Sequence, residues 1–246
     1  MKLHNIDCDF SPGIINTTIN RKDTNNLFDE VNNLKKKYKY TKIQKLSSSE
    51  LSTIIDTDLY DGGCLDFGAG HLNPLKFVQG LGTAAKKNNV QIFEKCCVKK
   101  IDYGKKNTIS VSNGYTVVSD YLIIACNGYL GNLEPNISSR VMPINNFILT
   151  TEVLGNNLLN SFLNNNYAVA DNKFVPNYFR PSPDNRLIFG GGENYTYRFP
   201  KDIKTIVRKK MLKVYPQLKN TRIDFAWGGT LAVTRNRLPY FAKIQP

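Results

Sequence analysis

The stretch between Gly62 and Ala125 constrains the fold of this chain more than any other part. It opens Gly62-Gly63-Cys64-Leu65-Asp66-Phe67-Gly68-Ala69-Gly70-His71-Leu72-Asn73-Pro74, which runs from a turn through a short strand into a glycine loop. Pro74 then starts a helix over 74–87, because the first helical position has no N–H bond to lose. Residues 90–93 and 98–103 read as strands, and 108–111 and 115–118 flank Asn113-Gly114, the dipeptide best suited to a two-residue hairpin turn. Residues 121–125 are apolar throughout, which predicts a strand buried on both faces. Helix, strands, hairpin and doubly buried strand in that order make a layered α/β unit.

Upstream, Leu27, Phe28, Val31, Leu34 and Tyr38 recur at helical spacing after a cap at Asp23 or Thr24, predicting a helix over 24–39. A shorter helix over 47–55 is capped by Ser48 or Ser49 and striped by Leu51, Ile54 and Ile55. Downstream of residue 140 the pattern changes to a long strand over 141–154, a helix over 156–163 and short strands within 167–192 broken by Pro176, Pro181 and Pro183. A helix over 201–214 and a strand near 223–227 follow, so this part predicts an antiparallel sheet with helices to one side. The expected division is a helical segment over 1–60, an α/β unit over 61–140 and an antiparallel-sheet domain over 141–246. There is no internal repeat and no flexible linker.

Composition narrows the function. The formal charge of +13 invites a nucleic-acid partner. The lysines are instead scattered, as at Lys35–Lys37, Lys86 and Lys87, Lys99 and Lys100, and Lys209 and Lys210, and read as solvated faces; no nucleic-acid partner is expected. Cys8, Cys64, Cys96, Cys97 and Cys126 make no CxxC pair and lie at no metal-ligand spacing from a histidine, so no metal is expected and the thiols read as reduced, in a cytoplasmic setting. No apolar run reaches the roughly 20 residues of a membrane span.

Two glycine strings resemble phosphate loops and fail on context. Gly80-Leu81-Gly82-Thr83-Ala84-Ala85 lies inside the helix begun at Pro74, and Gly190-Gly191-Gly192 follows a strand but precedes no helix, whereas a dinucleotide loop joins the two. Other segments carry a stronger likeness. Gly63 to Pro74 with its GHLNP loop, Val90 to Asp102, Tyr121 to Leu133 with Gly128-Tyr129-Leu130-Gly131-Asn132-Leu133, Arg186 to Gly192, and the string KMLKVYPQLK resemble, in this order, the D-amino-acid-oxidase-like (DAO) superfamily of FAD-dependent oxidoreductases. The likeness extends over roughly residues 50–245 and is nearest to the branch that oxidises gamma-glutamylputrescine.

The resemblance implies a partial FAD-binding, Rossmann-like domain joined to an antiparallel substrate domain, an α/β and α+β combination. It implies FAD as cofactor, with the backbone of Val98 against the adenine, Ala125, Cys126, Asn127 and Gly128 in a tight turn beside the cofactor, and His71 in reach of flavin or substrate. His71 reads equally as a hydrogen-bonded structural residue, and Asn73 as a helix cap. The family's glycine loop and C-terminal flavin-contacting segment have no counterpart here, so the chain is expected to be truncated at both ends.

The implied chemistry is hydride transfer from the carbon bearing a neutral amine to the flavin, in a dry aromatic pocket. Tyr178, Phe179, Tyr195, Tyr197 and Trp227 suit such a lining or a packed core. Arg180 suits a substrate carboxylate or a salt bridge to Asp184. In amino-acid oxidases of the superfamily a carboxylate-clamping arginine falls near Leu231, and leucine cannot serve; the expected substrate is therefore a small-molecule amine, gamma-glutamylputrescine-like or another secondary amine. Arg235 or Arg237 as a replacement clamp keeps a glycine- or sarcosine-type amino acid as the alternative, and a non-catalytic remnant stands beside both.

Overall fold

A computed structural model of the chain describes residues 1–196 and 198–244. After a short 3-10 turn at Lys2–His4, the elements in chain order are β1 (Ser11–Thr18), α1 (Arg21–Lys37), β2 (Ile43–Leu46), α2 (Ser48–Ser52), β3 (Gly62–His71) and α3 (Pro74–Lys87). A small sheet follows, β4 (Val98–Asp102), β5 (Asn107–Val111) and β6 (Thr116–Ser119), then a 3-10 turn at Asn127–Tyr129 and α4 (Pro135–Ser138). The remainder is β7 (Val141–Thr151), α5 (Gly155–Phe162), β8 (Ala168–Asp171), β9 (Tyr178–Pro181), β10 (Leu187–Asn194), α6 (Ile203–Val214), a 3-10 turn at Pro216–Asn220, and β11 (Ile223–Thr234).

Local chemistry explains most boundaries. The Asn73 side chain accepts bonds from the Leu75 and Lys76 amides, with Pro74 at the first helical position of α3, as the sequence predicts. α1 starts earlier than predicted because Asn20, not Asp23 or Thr24, is its cap and accepts from the Asp23 amide. α2 is closed by a reciprocal capping box between Ser47 and Glu50, so the cap lies one residue before Ser48. Gly114, at φ +85°, turns β5 into β6 where Asn113-Gly114 predicts a hairpin.

Eight strands form one mixed sheet in the order β11-β7-β10-β9-β8-β1-β3-β2, and β4-β5-β6 form a separate antiparallel sheet. All neighbours in the large sheet are antiparallel except β1 and β8, which run parallel. The 1–60 segment thus supplies two strands as well as helices, and the large sheet draws on both sides of the division expected near residue 140.

One face of the sheet is packed. Val207, Met211 and Val214 of α6 are fully buried beside Phe147, Leu149, Leu187 and Phe189, and the rings of Phe179 and Phe189 stack 5.5 Å apart. Each such side chain contributes on the order of 2 kcal/mol of burial energy. Strand alternation then turns Tyr178 and Arg180 to the face opposite Phe179.

Two strand expectations fail. Residues 90–93 form no strand, and Ile92 and Phe93 are exposed. Residues 121–125, expected as a doubly buried strand, form no strand and have no ladder partner among the described residues, and Tyr121 and Ile123 are 90% and 87% exposed. Apolar composition alone cannot make a strand, because its backbone groups need a neighbour.

Candidate functional site

On the face of the sheet away from α6, a cavity of about 1100 Å³ lies among β7, β10, β11, residues 124–127 and residues 235–240. Its volume is at the upper end of small-molecule sites.

One wall is polar and comes from strand register. β10 pairs with β7 so that Glu193 faces Asn146, with an irregularity between Gly190 and Glu193 that shifts the alternation. The Tyr178 hydroxyl on β9 donates to Asn146 Oδ1, and the Tyr195 hydroxyl donates to Glu193 Oε1. Tyr178, Asn146, Glu193 and Tyr195 therefore form a hydrogen-bonded, register-linked row along the cavity. Burial pushes the Tyr178 phenol up to about 12, and the bond to Glu193 raises that of Tyr195.

Behind this row, fully buried Asn145 ties three elements together. Its amide donates to Asn194 Oδ1 at 2.9 Å and to the Thr196 carbonyl at 2.5 Å, and its Oδ1 accepts from Thr230 Oγ1 on β11 at 2.7 Å. A buried polar residue satisfied on every side fixes one arrangement of its neighbours.

The apolar part of the lining includes Ile124, Leu130, Ile144 and Leu231, the last two paired across β7 and β11. Arginines mark the rim: the Arg237 guanidinium sits 4.9 Å from the Phe174 ring centre and that of Arg140 5.7 Å from Tyr240, and Arg235 borders the same space.

Ala125, Cys126 and Asn127 border the cavity, whereas Gly128 lies behind them against β11. Asn127 Oδ1 accepts from the Ala232 amide at 2.9 Å and Tyr129 Oη from the Thr230 amide at 3.1 Å, which pins the turn to that strand. Among the substrate-lining expectations, Tyr178 and Tyr195 border the cavity, Phe179 belongs to the core, and Tyr197 lies outside the described residues.

The other expected residues lie elsewhere. Val98 is on β4, paired with Val111 in the small sheet. Trp227 faces Ile148 across β11 and β7 and is not part of the lining. Half-buried Arg180 donates to the Leu72 and Pro181 carbonyls, and Asp184 is taken by Arg186 at 2.7 Å, so the alternative salt bridge does not form. His71 Nε2 is 2.8 Å from the Asn166 carbonyl, its Nδ1 is buried without a partner among the described residues, and burial lowers its pKa. Asn146 and Glu193 escaped the sequence reading, because nothing in either's neighbourhood announces that a strand register will bring them together.

A mixed sheet backed by helices on one face and carrying a cavity on the other is a fold that solved structures share. It is similar to glycine oxidase from Geobacillus kaustophilus, with a TM-score of 0.81 at 17% identity over 97% of this chain and 64% of that one. The family model for FAD-dependent oxidoreductases, DAO, matches residues 1–246, and the chain belongs to that family. It is 33% identical to gamma-glutamylputrescine oxidoreductase of Escherichia coli (strain K12) over 99% of this chain and 57% of that protein, and 34% identical to the probable oxidoreductase OrdL of Rhizobium meliloti (strain 1021) over 99% and 56%. The chain thus spans a little over half the length of these curated relatives.

Proposed function

We propose that the complete protein is an FAD-dependent amine oxidoreductase and that its substrate occupies the cavity between the polar row on β7 and β10 and the turn at 125–128. The observation that carries this reading is Leu231: it sits in the lining, on the apolar wall, so the cavity offers no cation at that point to clamp an α-carboxylate. The name of the Escherichia coli relative supports gamma-glutamylputrescine as the amine.

FAD, the family's cofactor, suits the flavin end of this cavity: Ala125 and Cys126 present small side chains there, and apolar Ile124 and Leu231 flank a polar wall, as a flat heterocycle with one polar edge requires. When bound it supplies the two-electron acceptor. The chain's own residues then bind and orient. Asn127 and Tyr129 hold the turn on β11, Asn146 and Tyr178 present polar atoms to the substrate, and the apolar wall excludes water from the reacting carbon. Tyr178 keeps its proton across the neutral range, since burial raises its pKa, and acts as a hydrogen-bonding group rather than a base.

The test is to purify the protein from its complete reading frame and add gamma-glutamylputrescine anaerobically. A yellow protein whose flavin absorbance is bleached supports the proposal; a colourless protein, or flavin that no amine bleaches, refutes it. Arg235 and Arg237 on the cavity rim favour a second reading, a glycine- or sarcosine-type substrate whose carboxylate they clamp. Faster bleaching by sarcosine than by the polyamine derivative would select it.

A further inference from the structure

We propose that Glu193 is the specificity-determining residue of the cavity and that it selects an organic cation, the ammonium form of an alkylamine, at the polar wall. This rests on the reading of the cavity as substrate space and goes beyond it by naming the group that recognises charge.

Glu193 is the one acidic residue bordering the cavity among the described residues. A carboxylate in such a place is usually paired, yet no lysine or arginine lies within ion-pair distance of it among the described residues. Of the arginines bordering the cavity, Arg237 lies over Phe174 and Arg140 over Tyr240, and neither they nor Arg235 forms an ion pair with Glu193 among the described residues. Tyr195 donates to Oε1, and Oε2 has no protein partner among the described residues. The fold makes no demand on the charge: the backbone of Glu193 pairs with Asn146 in the ladder, and its side chain supports no other element.

The surroundings suit a cation. Tyr178 and Tyr195 bring aromatic side chains to the same cavity, and ring faces attract alkylammonium groups. An α-carboxylate held beside the amine at this wall would meet Glu193 as a like charge, with Leu231 supplying no cation there and Arg235 and Arg237 at the rim as the groups that could offset it. One side chain therefore attracts the amine and disfavours its amino-acid analogue, which is how specificity is built from a repulsive as well as an attractive element.

The probe is butyltrimethylammonium, which is permanently charged and has no nitrogen lone pair, so it binds without being oxidised. The complete FAD-loaded protein is titrated calorimetrically with this cation and with butyrate at constant ionic strength, alongside E193Q and E193D. Expected is at least a tenfold weaker affinity for the cation in E193Q, a smaller loss in E193D, and butyrate binding more tightly to E193Q than to the wild type or E193D. Equal cation affinity in the wild type and E193Q, or no cation binding by the wild type, overturns the proposal. Should E193Q lose its flavin absorbance, the comparison of wild type with E193D decides, and a tenfold or greater loss with the charge retained overturns it. Cation binding that depends on Glu193 in a protein whose flavin no amine bleaches would uphold this inference while refuting the oxidoreductase reading, and flavin bleaching with unchanged cation affinity in E193Q would do the reverse.

Discussion

Replacing Gly128 with alanine tests how the turn at Asn127–Tyr129 is held against β11. A β-carbon at Gly128 would sit 2.5 Å from the Thr230 carbonyl oxygen, 2.7 Å from its carbon and 2.9 Å from the carbonyl carbon of Leu231, all backbone atoms of β11 that no rotamer change can move. Restoring ordinary contact requires the turn to retreat by about 1 Å, and overpacking of this kind costs about 1–3 kcal/mol. The retreat also stretches the bonds from Asn127 to the Ala232 amide and from Tyr129 to the Thr230 amide, each contributing about 1 kcal/mol. A total near 3 kcal/mol lowers the urea midpoint by about 1 M for a slope of about 3 kcal/mol per M. Because Asn127 and Cys126 border the cavity, FAD affinity falls as well. G131A is the control: Gly131 is left-handed at φ +58° with nothing within 4 Å, so alanine there costs about 1 kcal/mol of backbone strain and leaves the turn seated. If G128A melts with the wild-type midpoint, or loses no more stability than G131A, the close approach to β11 does not hold the turn.

Three further outcomes follow from the same geometry. Thr230→Val strands the fully buried Asn145 oxygen and costs about 2 kcal/mol in denaturant unfolding, whereas Thr230→Ser keeps the donor and costs less than half of that. Burial raises the Tyr178 pKa to about 12 above an unfolded value near 10, so the folded state holds that proton more tightly; stability from this source is complete below pH 10 and falls as pH rises from 10 toward 12, and phenolate absorbance in Y178F compared with wild type checks it. Leu231→Arg places a guanidinium on the apolar wall and shifts flavin reduction toward sarcosine relative to gamma-glutamylputrescine by at least tenfold, and an unchanged ratio in stopped-flow absorbance refutes the assignment of that wall.

Much of the framework was legible where one residue does one local job: Asn73 and Pro74 at the start of α3, Asn113-Gly114 in the hairpin, the apolar spacing of α1. β1 was not. Its Ser-Pro-Gly start reads as loop, and its buried Thr17 and Thr18 lower its hydropathy; they are tolerated because their hydroxyls bond to the Ala170 and Gly62 carbonyls, partners far away in sequence. Residues 121–125 mislead in the opposite sense, since hydropathy reports what a segment would bury and not whether a neighbouring strand exists to receive it. The site divides the same way. Tyr178 was legible only as one of several aromatics suited to lining or core, and Asn146 and Glu193 meet only through a register that one extra residue on β10 shifts.

The parallel seam between β1 and β8 has a consequence for how the chain reaches this structure. β1 pairs with β3 across a few tens of residues, but its register with β8 pairs positions such as Ile14 and Ala168, and the Thr17 hydroxyl reaches the Ala170 carbonyl 153 residues on. Contacts of such long range form late, because the entropy of closing so large a loop is lost before any bond is gained. On the ribosome, β1-β3-β2 would assemble first and wait with an open edge at Ile14 to Thr17 until β8 emerged. That edge is short and half polar, with Asn16 and Thr17 among its residues, and so offers a poor template for pairing with another chain during the delay.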